Sequence, residues 1–264
     1  MEIDLRKTTY EDLATQRVAY LLSTMAPLDG MWENAFFPMA SHSQIVHDKQ
    51  SIGFCSINSE GKLLGFNVDD STLQRAAFSQ CIEELEPSGA FASTAEPAYL
   101  SLCADHQISM SVNALMYVEN DEHQIAPATP SGMNVRAATP DDLEVAISFG
   151  VAAIEANREW LSGYFDERIR KNELFGLWAG TELIATGECR MSPNQPQVAD
   201  VGMIVGADYR KRGLATFMLQ YLRSIGRHKE LELICSTESS NIGAQKAIER
   251  AGFVSRHRIL EFTF

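Results

Sequence analysis

The 264-residue chain reads as an α/β protein of the α+β kind, made of two domains in tandem. Three observations predict this. Residues 199–253 run strand, turn, helix, strand, helix in quick succession; residues from Val135 restart a pattern already present at Leu5; and a proline- and glycine-containing stretch lies between the two halves.

In chain order, Leu5 to Leu13 reads as a short strand, a threonine helix cap, acidic residues in the first helical turn and an apolar-periodic helix. Ser51–Ile57 and Lys62–Phe66, joined by a Ser-Glu-Gly turn, form a hairpin. Asn67 to Phe91 then lead to Ala92-Ser93-Thr94 and are expected to hold neither a further strand nor a basic turn. Ile108 to Tyr117 is a closing strand. Pro127, Pro130 and Gly132 among small polar residues mark a linker at 126–133, which sets domains at 1–125 and 134–264. Val135 to Leu143 matches Leu5 to Leu13 at an offset of 130, an internal repeat of domain size. The hairpin recurs as Leu174–Ala179 and Leu183–Cys189. Next come a strand at Ala199–Val205, a helix with Leu214, Phe217, Met218, Tyr221, Leu222 and Ile225 on one face, a strand at Leu231–Thr237, and a helix that Gly252-Phe253 terminates. Phe253 to Phe264 suffices for one long strand, with Phe262 and Phe264 on one face. This strand and Ile108–Tyr117 are expected to let the two domains share an edge or complete each other's sheets.

Bulk properties narrow the function. A composition 45% hydrophobic can fill one large or two modest cores. Met1-Glu2-Ile3-Asp4 has no basic leader, and nowhere do eighteen apolar residues follow one another, so a cytoplasmic, soluble protein without a membrane partner is expected. Cys55, Cys81, Cys103, Cys189 and Cys235 are odd in number and contain no CxxC pair; they read as reduced core residues. His42 and His47 lack helical spacing and a third ligand, so no metal site is expected and both read as surface or loop residues. The net charge of −13 is uneven: residues 1–132 carry 6 basic against 18 acidic side chains, residues 133–264 carry 16 against 17. An acidic half excludes nucleic acid as partner. It can draw a cationic amine inwards, although solubility alone accounts for it.

The turn Arg210-Lys211-Arg212-Gly213-Leu214-Ala215 carries the chemistry. A helix that starts after a glycine presents unpaired N–H groups and the positive end of its dipole, here beside three cations; a phosphate belongs there. Gly213 lets the backbone approach the anion with no Cβ in the way, and Ala215 keeps the next amide accessible. Neither GxxxxGK[ST] nor GxGxxG is present, which excludes the common nucleotide loops.

These residues resemble the GCN5-related N-acetyltransferases (GNAT). The family's acetyl-CoA loop, V-x-x-x-x-[QR]-x-x-G-x-[GA], is filled by Val205, Arg210, Gly213 and Ala215, and its following N-x-x-A helix with terminal G-F by Asn241, Ala244, Gly252 and Phe253. The resemblance covers roughly the last half of the chain. It implies two tandem GNAT-like domains, each a mixed, largely antiparallel sheet flanked by helices, the N-terminal copy truncated and without its cofactor loop. It also implies acetyl-CoA as cofactor, held by Met203, Ile204, Val205, Arg210, Lys211, Arg212, Gly213, Leu214, Ala215, Thr216 and Asn241. The Ala199–Val205 strand should part from Leu231–Thr237 to admit the pantetheine arm, with the N–H of Val205 or Met203 facing the thioester oxygen.

The reaction implied is acetyl transfer by direct attack of a primary amine, on a small molecule or a peptide, within a ternary complex. Glu188 and Asp200, on adjacent strands beside the opening, are the two candidate bases, Asp200 slightly ahead, with ordinary ion pairing as the alternative for both. Asn241 serves equally well as a helix cap. A tyrosine often used as general acid in the family is replaced by Ile248, leaving Ser236, Thr237 or water. Trp160, Tyr164 and Phe165 are candidates to line an acceptor pocket, with sheet packing as the alternative. The vacant acid position and the truncated copy support a second reading, a non-catalytic acetyl-CoA-binding module. A monomer and a homodimer are equally compatible with the sequence.

Overall fold

A computed structural model describes residues 3–120 and 129–264. The expected leader-free start at Met1-Glu2 and the first three residues of the expected 126–133 linker lie outside the described residues. The chain forms two compact units. One takes the chain up to Met116 with Pro193–Gln195 and Arg256–Phe264; the other takes Tyr117–Ser192 and Pro196–Ser255. The units thus differ from the expected cut at 126–133, because the last nine residues belong with the first unit.

The first unit contains β1 (Ile3–Thr8), α1 (Ala14–Ser23), a π-helical turn (Trp32–Phe36), β2 (Ser41–His47), β3 (Gln50–Ile57), β4 (Lys62–Val68), α2 (Gln74–Leu85), β5 (Gly89–Ser93), α3 (Pro97–His106) and most of β6 (Ser109–Glu119). The second contains β7 (Met133–Ala137), α4 (Leu143–Ile154), α5 (Arg158–Arg170), β8 (Leu174–Ala179), β9 (Glu182–Met191), β10 (Val198–Val205), α6 (Leu214–His228), β11 (Glu232–Glu238), α7 (Ile242–Arg250) and the start of β12 (Phe253–Thr263).

In the first unit the sheet runs β1-β2-β3-β4-β5-β12-β6, with β1 to β4 antiparallel in succession, β5 parallel to β4 and β12 antiparallel to β5. The final strand pairs Ile259↔Ser93 to Thr263↔Gly89, so it completes this sheet, as one of the two expected arrangements required. Phe262, with no exposed surface, sits among Phe66, Phe78, Cys81, Tyr99 and Cys103, and Phe264 packs against the same cluster. In the second unit the order is β7-β8-β9-β10-β11, again antiparallel except for β10 against β11. Its α4–α5 face is closed by Ile147, Leu161, Phe165 and Trp178. The opposite face carries α6, which buries Leu214, Phe217, Met218 and Leu222 of the face that the 3.6-residue spacing predicts, while Tyr221 and Ile225 of that face are half-buried and Leu219 is buried beside it.

The two element orders correct the expected content of the N-terminal half. With β2 present, β3–β4 occupies the place of β9–β10, so β4 is the counterpart of the strand expected to be missing; only the basic turn is absent. The polar sequence SHSQIVH concealed β2. His42, expected on a loop or the surface, is buried on this strand with Nδ1 2.8 Å from Ser56 Oγ. The expected threonine cap is present in the second copy, where Thr139 forms a capping box with Asp142 in the 3-10 turn before α4 and Arg136 clasps the Asp142 carboxylate at 2.6 and 2.7 Å. In the first copy Thr9 Oγ1 accepts the N–H of Asp12 in the preceding turn only, and α1 starts at Ala14 with no side-chain cap and no acidic residue in its first turn. All five cysteines are buried and none forms a disulfide. Among the described residues, no helix is long and apolar enough to cross a membrane.

Candidate functional site

Strand β10 keeps its ladder with β9 along its whole length, from Ala199↔Met191 to Val205↔Ala185. With β11 it pairs only at Val198↔Glu232, Ala199↔Leu233 and Asp200↔Ile234. Beyond Asp200 the two parallel strands part. Ser192 donates to the Val198 carbonyl and Gly206 to that of Ile184, which fixes the alternation of the β9–β10 ladder. The N–H groups of Val201, Met203 and Val205 therefore point away from β9, towards the parting. Met203 and Ile204 are half-buried, and Ser236 and Thr237 are half-buried on the far side, on β11.

At the end of β10 the chain turns through Ala207–Tyr209 into Arg210–Gly213 and enters α6. Gly213 has φ 81° and is the N-terminal flank of α6, with no side-chain cap. A Cβ built there would meet nothing within 4 Å, so the backbone is bare on that side. The first helical bond runs from Phe217 N–H to Gly213 C=O, which leaves the N–H groups of Leu214, Ala215 and Thr216 without intrahelical acceptors. Lys211 and Arg212 are exposed, and Arg212 lies 5.2 Å over the Tyr209 ring. Arg210 differs from the other two cations. Its guanidinium donates to the carbonyls of Val205 (3.1 Å) and Ala153 (2.9 Å), tying the turn to the ends of β10 and α4. Thr216 Oγ1 is 3.4 Å from the Ala247 carbonyl, and Asn241 Oδ1 accepts the N–H of Ala244 at 3.1 Å, so both contribute to α7 and its cap.

The two candidate bases are brought together on the α5 side of the sheet by a third group that their spacing alone did not reveal. Arg190 is nine-tenths buried and pairs with Asp200 and, at 3.3 Å, with Glu188; all three residues are under a tenth exposed. The Tyr164 hydroxyl donates to Glu188 at 2.5 Å and accepts from Arg190 Nη1 at 2.7 Å. Burial disfavours the Arg190 charge, but the Asp200 and Glu188 carboxylates outweigh it and hold the guanidinium well above its ordinary range. Tyr164 is raised by burial first and by the neighbouring Glu188 charge second, so its hydroxyl keeps its proton. Trp160, 41% exposed, stacks on the Tyr164 ring at 4.8 Å and 12°, whereas Phe165 is wholly in the core. Arg190 was legible in principle: it stands two residues after Glu188 on the same strand face. Ile248 is buried, so no hydroxyl stands at that position of α7.

Comparison with known proteins agrees with this geometry. Residues 9–120 match a family model described as an acetyltransferase (GNAT) domain, and residues 144–253 one described as the acetyltransferase (GNAT) family. An acetyltransferase of the GNAT family from Colwellia psychrerythraea is 37% identical over 100% of both chains, with a TM-score of 0.90. A tandem GNAT protein from the clavulanic acid biosynthesis pathway, solved without AcCoA, is 15% identical over 100% of this chain and 98% of its own, with a TM-score of 0.71. A GCN5-related N-acetyltransferase from Sphaerobacter thermophilus is 15% identical over 98% and 94%, with a TM-score of 0.67. No curated protein matches the chain.

Proposed function

The chain belongs to the GNAT acetyltransferase family, and from that premise we propose that it is an N-acetyltransferase, transferring the acetyl group of acetyl-CoA to a primary amine on a small molecule or peptide. The observation that carries this reading is the parting of β10 from β11 directly before the glycine-opened start of α6. The residues fit the cofactor. A bare Gly213, the amides of Leu214, Ala215 and Thr216 and the exposed Lys211 and Arg212 suit a diphosphate. The unpaired amides of β10 suit an amide-bearing arm. When bound, acetyl-CoA supplies an acetyl thioester.

In this reading the N–H of Met203 or Val205 donates to the thioester oxygen and stabilises the charge that gathers there. Ile204 lines the same strand, and Arg210 holds the turn in place rather than the phosphate. Glu188 is assigned as the base, reached directly or through the Tyr164 hydroxyl. It is preferred to Asp200 because its ladder partner, Gly202, lies in the parted stretch of β10, whereas Asp200 is at the last paired position. The Glu188 carboxylate, with the Tyr164 hydroxyl beside it, is the acceptor for the ammonium proton. A thiol with pKa ~8.5 leaves as thiolate without a strong acid, which makes a tyrosine at position 248 dispensable.

The buried Ile248 and the commitment of both carboxylates to Arg190 favour a second reading, a non-catalytic acetyl-CoA-binding module. Thiol release from acetyl-CoA over a panel of amines, with calorimetry of coenzyme A binding, separates the two. Turnover with any amine supports the enzyme. Tight binding without turnover across the panel supports the module, and no binding removes both.

A further inference from the structure

The first unit repeats the parting of strands in a different chemical form. Strands β4 and β5 pair in parallel only at Lys62↔Gly89 and Leu63↔Ala90, and then run on to Val68 and Ser93 without further pairing to one another. Helix α2 follows β4 as α6 follows β10, but the intervening turn is Asp69-Asp70-Ser71-Thr72-Leu73, with two carboxylates and no glycine. Asp70 Oδ1 already accepts both the N–H and the hydroxyl of Thr72, at 2.8 and 2.7 Å. Two carboxylates repel a diphosphate.

What remains at this opening is a cavity of about 120 Å³, lined among others by Tyr20, Phe66, Val68, Gln74, Glu96 and Tyr99. Glu96 is buried at the junction of β5 and α3. Its Oε2 accepts the Ser93 N–H at 2.8 Å, while its Oε1 and the Tyr20 hydroxyl have no hydrogen-bond partner among the described residues. None of the described lining residues is basic. A buried carboxylate with one oxygen unmatched costs several kcal/mol unless a cation or a donor meets it.

We propose that the opening between β4 and β5 is a second binding site, for a compact primary amine in its ammonium form, with the ammonium on Glu96 and the alkyl part against Phe66 and Val68. The volume of about 120 Å³, somewhat below the ~150 Å³ of dry cavities that bind benzene, suits a chain of a few carbons and is far too small for a nucleotide. The acidity of the N-terminal half favours a cation over an anion or a neutral molecule. Burial pushes the Glu96 carboxyl up to about 8. Tyr99 and Cys103, the titratable groups facing it from α3, are also raised, chiefly by burial, and stay uncharged at neutral pH. An arriving ammonium therefore displaces a proton from Glu96, and affinity rises with pH up to about 8. This site is independent of acetyl transfer in the second unit.

Titration calorimetry of the full chain with n-butylamine, in buffers of different ionisation enthalpy at pH 7, tests it. One binding event with proton release is expected, at least tenfold weaker in Glu96→Gln and absent for 1-butanol. Crystals soaked with butylamine should show its nitrogen at about 3 Å from the Glu96 carboxylate. Equal affinity in Glu96→Gln, equal binding of 1-butanol, or a nitrogen elsewhere overturns the proposal. Should Glu96→Gln lose its fold, Tyr20→Phe decides: a threefold or greater loss supports the site and an unchanged affinity overturns it.

Discussion

Gly213 combines a left-handed backbone with open space, and the two properties predict different outcomes for different substitutions. Alanine meets no protein atom but pays about 1 kcal/mol of backbone strain at φ 81°, so Gly213→Ala should fold, while its Cβ, placed where the diphosphate is proposed to approach, should weaken coenzyme A binding by about tenfold. Gly213→Asp adds a negative charge where the diphosphate is proposed to sit, and calorimetry should show a loss of a hundredfold or more. At the Tyr164–Glu188–Arg190–Asp200 cluster, Tyr164→Phe removes one hydroxyl and no bulk. In the proposed role it lowers kcat about tenfold or more with the KM for acetyl-CoA unchanged, as steady-state kinetics would record. Glu188 and Asp200 were readable from their strand positions. Arg190 could be placed beside Glu188 by the two-residue strand period, but its bond to Asp200 on β10 could not, since side-chain partners across strands depend on register, which spacing alone leaves open.

Glu96 also has a stability signature. Its carboxyl titrates at about 8 in the folded chain against an ordinary 4.5, so the folded state holds the proton more tightly than the unfolded state. For a raised carboxyl, stability is full below about pH 4.5 and declines as pH rises towards 8, by a few kcal/mol at most. Urea unfolding between pH 5 and 9 should show that decline, and Glu96→Gln should flatten it.

For the elements, apolar periodicity found α6 because a helix with one buried face writes a 3.6-residue pattern. The same logic missed β2, where buried His42, bonded to Ser56 on β3, and buried Ser43 stand beside the buried Ile45 and Val46, so that no alternating apolar pattern is written. That single omission shifted the hairpin correspondence of the two halves by one strand. Helix α6 also carries Gly226 in its last turns, where a Cβ would come within 2.6–2.7 Å of the Leu233 side chain on β11. Alanine gains ~1 kcal/mol in helix propensity there, but Leu233 is fully buried and overpacking costs ~1–3 kcal/mol. Gly226→Ala should therefore be destabilising on balance, seen as a lower urea midpoint.

Across the whole molecule, the domain repeat was visible because a strand, a threonine and a pair of acidic residues recur in the same order at Leu5 and Val135, even though those acidic residues precede α1 in the first copy. The exact allotment of chain to each unit was not, because the last strand's partner is chosen by the sheet edge that β5 presents and not by proximity in sequence. Deleting residues 256–264 should unfold or aggregate the first unit, since it removes buried Phe262 and Ile259 and uncovers the edge of β5. Phe262→Ala alone should cost about 3–5 kcal/mol, measurable by chemical denaturation.

The same strand sets a timetable for synthesis. The first unit's chain up to Met116 emerges from the ribosome about 150 residues before its last strand does. At ~5–20 residues per second that is a wait of roughly 7–30 s with the β5 edge uncapped. Until that strand has been made the β5 edge stays uncovered, and only then can the first half close its core around Phe262.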